Sequence, residues 1–246
     1  MIALRVDDWH AWAPGIEDAD AWARWAAAPY VPAENGAQPA CAFVPPMQRR
    51  RLSRLARIVM HAAWPLCSDD EQLPFVYASR HGETTHTFAM LDDIGRGVPL
   101  SPTRFGLSVH NAIAGQWSIL RGQRGESVAL AGEADTFEHA IVEAATLLDD
   151  DVPAVIVVVA EERPPAAYDG WIDDVPCSYA VALRLSRMEA RGTGPCWRLS
   201  LGKVDSTALP VSSDYPHALR FVRALHDGAS FAPAWKTRQW TWRPLP

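Results

Sequence analysis

Glu133 and Asp135 stand on either side of Ala134, so two carboxylates bracket a methyl group near the middle of this chain. A carboxyl pair at that spacing suits acid–base work, one group giving a proton and the other taking one. It equally suits the start of a helix, where acidic side chains meet free N–H groups and the positive end of the macrodipole. No histidine or lysine adjoins the pair, which favours the helix start. A second candidate is the run from His81 through Glu83 to His86. Its histidines are five apart and its glutamate is misplaced, whereas a zincin needs two histidines at i, i+4 on one helical face. No metal site is expected there, and a loop at a strand end is the simpler reading. His110-Asn111 reads as a buried, hydrogen-bonded pair at a helix start. Arg50, Arg54 and Arg57 fall on one face of a helical stretch, either as a solvated face or as a docking patch for an acidic partner.

Several chemistries lack their signatures. There is no P-loop, no G-x-G-x-x-G after a strand and no G-x-S-x-G elbow, so neither a nucleotide cofactor nor serine-hydrolase chemistry is expected. No other cofactor is implied. The four cysteines, Cys41, Cys67, Cys177 and Cys196, are scattered without a C-x-x-C pair, which speaks against zinc and against a disulfide framework. A net charge of −6 argues against broad nucleic-acid binding. No apolar run reaches the roughly 20 residues that span a bilayer, and the first residues do not read as a signal peptide. The expected setting is the cytoplasm.

The elements that must position these residues follow from periodicity. Alternation gives a first strand over residues 2–6, followed by a Trp-rich helix and loop. A helix is expected over 47–64 with Leu52, Leu55 and Val59 on its apolar face, and a short strand over 74–78. A helix from about Thr84 to Ile94 is stopped by Gly95 and Gly97. Helices are expected near 107–120 and 136–148. Residues 154–160 form a continuous apolar, β-branched run, the mark of a central strand buried on both faces. Strands over 179–185 and 196–201 and a helix over 216–226 come next, and residues 227–246 read as an irregular Trp- and Pro-rich tail. No linker or repeat divides the chain, so residues 1–246 are expected to form one α/β domain.

Ser101-Pro102, then Asn111-Ala112-Ile113-Ala114-Gly115, then Arg121-Gly122-Gln123-Arg124-Gly125, lead into a strand at Ser127-Val128-Ala129-Leu130. This order resembles the nucleophile-bearing segment of ketosynthases in the thiolase superfamily, most clearly across 75–161. With the Arg49-Arg50-Arg51-Leu52-Ser53-Arg54-Leu55 run, the whole chain is similar to half-length ketosynthase-like N-terminal proteins of aryl polyene and xanthomonadin-type pigment clusters.

The resemblance implies half of a thiolase-like fold, a mixed sheet of about five core strands with helices on both faces. It places Ala134 where the family has its reactive cysteine. Nothing after Val159 resembles the family's histidine-bearing motifs; His217 and His226 sit in no matching loop. It therefore implies a subunit inert as a ketosynthase, working beside a full-length ketosynthase in a type II fatty-acid or polyketide-like pathway, as a chain-length factor or a stabilising partner. Two alternatives stay open: an enzyme acting on acyl or malonyl thioesters through Glu133 or Asp135, and a homodimeric acyl-binding protein. In the family the strand equivalent to Ser127, Val128, Ala129 and Leu130 pairs with its copy in a second subunit, which implies a dimer, with a ketosynthase or with itself. Val109, Ala112 and Gln116 are then the candidates to approach the partner's acyl tunnel, and the Arg50, Arg54, Arg57 face the candidate contact for an acyl carrier protein.

Overall fold

The computed structural model describes residues 1–190, 192–204 and 215–246. In chain order the elements are β1 (Ile2–Trp12), α1 (Ala19–Ala27), α2 (Pro46–Arg49), α3 (Arg54–Ala63), β2 (Phe75–Ala78), α4 (Thr84–Gly95), α5 (Pro102–Ser108), α6 (Ala112–Arg121), β3 (Ser127–Leu130), α7 (Thr136–Leu147), β4 (Val155–Glu161), β5 (Tyr179–Arg187), β6 (Cys196–Lys203), α8 (His217–Asp227), β7 (Ala234–Trp235) and β8 (Arg238–Leu245).

The strands form one sheet in the order β3-β2-β4-β5-β1-β6-β8-β7. The neighbours β3, β2 and β4 run parallel, and every other pair is antiparallel. The count of about five strands is therefore corrected to eight among the described residues. The strands β3, β2, β4, β5 and β1 are five of them, and β6, β8 and β7 extend the sheet beyond β1. Ala129 and Val157 lie in this one sheet, on either side of β2.

All seven residues of β4 are buried, as its continuous apolar run requires. Side chains alternate between faces. Val155, Val157 and Val159 enter a core with Trp22 and Trp25 of α1, Phe137 and Ile141 of α7 and Phe221 of α8. Ile156, Val158 and Ala160 enter a second core with Leu55 and Val59 of α3 and Trp117 of α6. Helices thus cover both faces.

Three helix and strand boundaries depart from expectation. The helix over 47–64 is broken, because Ser53 caps α3 by accepting a 2.9 Å hydrogen bond from the Ala56 N–H. The helix near 107–120 is two helices, with Val109 extended between them. The tail is not irregular. Trp240 and Trp242 of β8 point into the first core, with the Trp242 ring 4.5 Å from that of Phe221. Strand β8 pairs along its length with β6. Among the described residues, no helix is long and apolar enough to cross a membrane.

Candidate functional site

The parallel strands β2, β3 and β4 all end on one side of the sheet, the side where open α/β sheets place their sites. Strand β3 ends at Leu130, and a short turn carries the chain through Ala134 into α7. Thr136 ties that turn. Its hydroxyl accepts from the Gly132 N–H at 3.0 Å and donates to the Glu133 carbonyl at 2.7 Å. A side chain at Gly132 would meet Thr136 Cα at 3.1 Å, a tight approach that a larger residue relieves only by shifting the turn. Ala134 lines a cleft of about 590 Å³, together with Arg80, Glu161, Tyr179, His217 and Trp235.

Glu133 and Asp135 precede the first turn of α7, but their partners are not its N–H groups. The β7–β8 hairpin holds both. Glu133 accepts from Trp235 Nε1 at 2.8 Å and Arg238 Nη2 at 3.0 Å, and it also binds Lys236 Nζ. Asp135 is fully buried and accepts from Arg238 Nε at 2.6 Å, Arg238 Nη2 at 2.9 Å and Trp240 Nε1 at 2.9 Å. Hydrogen bonds from Lys236, Trp235 and Arg238 lower Glu133 to about 2. Burial pushes Asp135 up, but the hydrogen bonds from Arg238 and Trp240 outweigh it and leave the group below its ordinary value. Carboxylates held ionised and saturated with donors have no proton to give and little basicity to spend. The acid–base alternative for this pair therefore finds no support in its geometry.

Of the titratable groups that reading the sequence missed, Glu161 and Glu138 are buried and Asp174 is half-buried. Glu161, at the end of β4, accepts from Ser79 Oγ at 3.0 Å, the His81 N–H at 3.2 Å and the Arg80 N–H. Burial lifts its carboxyl to about 7. Glu138 accepts from Trp242 Nε1 at 3.3 Å and lies 2.9 Å from His217 Nδ1. Asp174 binds Arg80 Nη1 at 2.7 Å and His81 Nε2 at 3.0 Å. Each carboxylate meets partners roughly 80 to 105 residues away, so no local spacing announces it.

The other expected residues do not converge on the cleft. His81 turns to Asp174, while His86 reaches the Arg104 carbonyl at 3.1 Å, so the two do not face one metal. His110 donates to the Ser79 carbonyl at 2.8 Å; Asn111 is exposed and is not its partner. The expected arginine face is also corrected. Arg54 is drawn inward, its guanidinium bonding the Ala37 carbonyl at 2.9 Å, Ser178 Oγ at 2.7 Å, Glu34 at 2.6 Å and Glu162 at 3.4 Å. Arg57 bonds the Arg49 carbonyl at 2.9 Å, and Arg50 stands exposed in the turn that breaks the helix. Val109 is exposed, Ala112 is half-buried at the start of α6, and Gln116 reaches the Arg51 carbonyl at 3.4 Å. Among the described residues the strand β3 is the open end of the sheet, with β2 on one side only.

Known proteins match this arrangement across most of its length. A family model described as beta-ketoacyl synthase, N-terminal domain, matches residues 22–243, well beyond the central segment. A chain of the complex of ketosynthase (ApeO) with its chain length factor (ApeC) from Xenorhabdus doucetiae superposes with a TM-score of 0.82 at 27% identity, covering 99% of this chain and 100% of that one. The ishigamide ketosynthase/chain length factor gives 0.64 at 16% identity, covering 82% and 68%. A beta-ketoacyl synthase from Burkholderia phymatum STM815 gives 0.60 at 14% identity, covering 86% and 66%. The last two likenesses are of fold alone. No curated protein matches the chain. With a family match spanning residues 22–243 and the thiolase-like sheet in place, the chain belongs to the beta-ketoacyl synthase N-terminal domain family.

Proposed function

We propose that this protein is a non-catalytic ketosynthase-like subunit that pairs with a full-length ketosynthase, as a chain-length factor does, in type II fatty-acid or polyketide biosynthesis of the aryl polyene kind. The observation that carries the reading is Ala134 at the turn between β3 and α7. A methyl group there cannot attack a thioester, and its two carboxylate neighbours are locked by Arg238. The end-to-end likeness to a chain of a complex that pairs a ketosynthase with a chain length factor supports the choice of partner. In this reading β3 pairs with the equivalent strand of the ketosynthase. Val109, Ala112 and Gln116 then approach its acyl tunnel, and the exposed arginines around Arg50 meet the acidic acyl carrier protein, in the cytoplasm.

The test is condensation of acyl- and malonyl-carrier protein by this chain alone, by the ketosynthase alone and by the two together. The chain alone is expected to be inert, and product formation or product length is expected to change only when both are present. Turnover by the lone chain that disappears in Glu133→Gln would overturn the reading in favour of an enzyme. A ketosynthase indifferent to this chain would overturn it in favour of an acyl-binding homodimer or another role.

A further inference from the structure

Three polar side chains line the cleft beside Ala134 with hydrogen-bonding atoms left over. Tyr179 of β5 is 4% exposed, and its hydroxyl has no hydrogen-bond partner among the described residues. Unlike the hydroxyl of Tyr77, it is not sealed inside the core, so it opens onto the cleft. Arg220 of α8 is half-buried and has no hydrogen-bond or ion-pair partner among the described residues. Its guanidinium rests over the Phe231 ring at 5.3 Å, a contact that uses none of its five N–H donors. Burial pushes this guanidinium below its usual value, while Glu138 opposes the shift. His217 is 8% exposed and turns Nδ1 to the fully buried Glu138 at 2.9 Å, which leaves Nε2, across the ring, without a partner among the described residues. Shielded polar groups are nearly always hydrogen-bonded, so three exceptions around one cavity point to a ligand.

The start of α8 adds to them. Pro216, His217 and Ala218 line the same cleft. Pro216 stands at the cap position without a side-chain acceptor, and the first N–H of the helix to find an acceptor among the described residues is that of Arg220, on the Pro216 carbonyl at 3.1 Å. Free N–H groups at a helix start favour an anion. The carboxylates of the cleft do not take up these donors. Glu133 is held by the β7–β8 hairpin, Asp174 by Arg80 and His81, and Glu161 by Ser79 and two backbone N–H groups. Asp173 is unpaired among the described residues but exposed, where water and salt screen it. The half-buried Arg220 has less of that screening.

We infer that this cleft binds a small organic acid, its carboxylate held by Arg220, His217 and the start of α8 and its apolar body lying against Phe137 and Trp235. The fork of arginine donors matches the two oxygens of a carboxylate. The volume of about 590 Å³ falls among those of small-molecule sites, about 300–1,000 Å³. Trp235 is fixed as a wall by its bond to Glu133. The aromatic walls select an acid with an apolar body over a bare anion, and the Tyr179 hydroxyl gives that acid a second polar anchor. The groups that hold the ligand come from β5, α7, β7 and α8, so the site does not depend on the proposed pairing with a ketosynthase.

The experiment titrates the full chain by calorimetry with sodium benzoate, sodium hexanoate, benzyl alcohol and inorganic phosphate. One of the two carboxylates is expected to bind at about 1 mM or tighter, with benzyl alcohol and phosphate at least tenfold weaker. Arg220→Gln and Tyr179→Phe are each expected to weaken that carboxylate at least fivefold, while Arg124→Gln, an exposed arginine outside the cleft, stays within twofold of the wild type. Tyr179→Phe removes one oxygen and keeps the ring, which separates a lost contact from a lost fold. Deuterium exchange of residues 217–219 in the wild type, with and without the carboxylate, does not depend on any variant, and these N–H groups are expected to gain protection. A wild type that binds neither carboxylate below about 10 mM overturns the inference. Phosphate binding as tightly as the better carboxylate assigns the cleft to phosphate instead, and benzyl alcohol doing so makes it a merely apolar pocket; either overturns it. Carboxylate binding that neither variant weakens, or that leaves exchange at 217–219 unchanged, places the ligand elsewhere and overturns it as well.

Discussion

Arg238 holds Asp135 by two parallel hydrogen bonds, Nε to Oδ2 at 2.6 Å and Nη2 to Oδ1 at 2.9 Å, across 103 residues of sequence. This planar fork joins the turn at Ala134 to the last strand of the sheet, and it is the geometry that favours arginine over lysine. Replacing Arg238 with Met leaves a fully buried carboxylate with Trp240 as its main remaining donor. The expected loss of stability at pH 7 is about 3 kcal/mol, the usual consequence of orphaning a buried charge. The sign with pH follows from the direction in which the group is displaced. Asp135 is held below its ordinary value, so it contributes stability above the unfolded carboxylate range and loses that contribution as the pH falls through its folded value. Urea unfolding of the wild type and Arg238→Met at pH 7 and again near pH 4 is the check. The gap between them should narrow at the lower pH, and a gap under about 0.5 kcal/mol at pH 7 would place Arg238 among ordinary surface substitutions.

The edge of β3 can be tested without disturbing its inner side. The Phe75 N–H donates to the Glu126 carbonyl at 3.0 Å, and the Ser79 N–H to the Leu130 carbonyl at 3.1 Å. In a parallel ladder with this register, Glu126, Val128 and Leu130 bond inward to β2. Ser127 and Ala129 then turn their N–H groups to the open side. Ala129→Pro removes an outward donor and places a ring where a partner strand would lie. The expected outcome is a folded protein, unchanged in circular dichroism, that no longer pairs with the ketosynthase. Retained pairing would show that the strand edge is not part of the interface.

The parts of this fold that were legible in the sequence are those whose signals are local. The β-branched run at 154–160 is β4, and the spacing of Phe137, Ala140, Ile141 and Ala144 is the buried side of α7. The tail was illegible because its regularity is completed by distant residues. Trp240 and Trp242 alternate as a strand should, but β8 is built on β6, some forty residues earlier, and on Phe137 and Phe221. Lys236 turns the β7–β8 hairpin at a φ of 52°, a conformation that sequence pattern assigns to glycine or asparagine. The same distance hid the clamp at the site. Ala134 could be placed by motif, whereas nothing near Glu133 or Asp135 announces Arg238.

Glu83 gives the protein a pH dependence of its own. Its carboxyl is buried, with Ser53 Oγ donating to one oxygen and no hydrogen-bond partner on the other. Burial lifts it to about 7; the Ser53 hydrogen bond opposes this and the nearby Glu162 adds to it. A folded value above the unfolded one means that the native state holds its proton longer. Stability therefore falls as the pH rises from about 4.5 to about 7, and the full cost persists above that. Glu83→Gln removes the charge and should flatten this slope. Above pH 7 the variant is expected to be more stable than the wild type by about 1–3 kcal/mol, since each pH unit separating the folded from the unfolded value is worth about 1.4 kcal/mol. Melting curves at pH 5 and pH 8 decide it, and a variant that is less stable at both would show that Glu83 is needed as a carboxylate.

Arg54 and Arg50, four residues apart, should behave as opposites. Arg54 bonds Glu34, Glu162, Ser178 and the Ala37 carbonyl, and its side chain is mostly shielded. Arg54→Ala leaves Glu34 and Glu162 close together without their cation, and it should cost about 3 kcal/mol at pH 7. Arg50 is exposed in the turn after α2, where a single substitution ordinarily stays within about 0.5 kcal/mol. If the proposed carrier contact lies at this turn, Arg50→Ala combined with Arg51→Ala should weaken binding of the acyl carrier protein while leaving the unfolding midpoint in place. The remaining affinity should also depend less on salt, since exposed charges are screened over about a Debye length. Titration of carrier protein at 50 mM and 300 mM salt, beside a thermal melt of each variant, separates the two arginines. A double variant that binds carrier protein with wild-type affinity at both salt concentrations would move the carrier contact away from the turn.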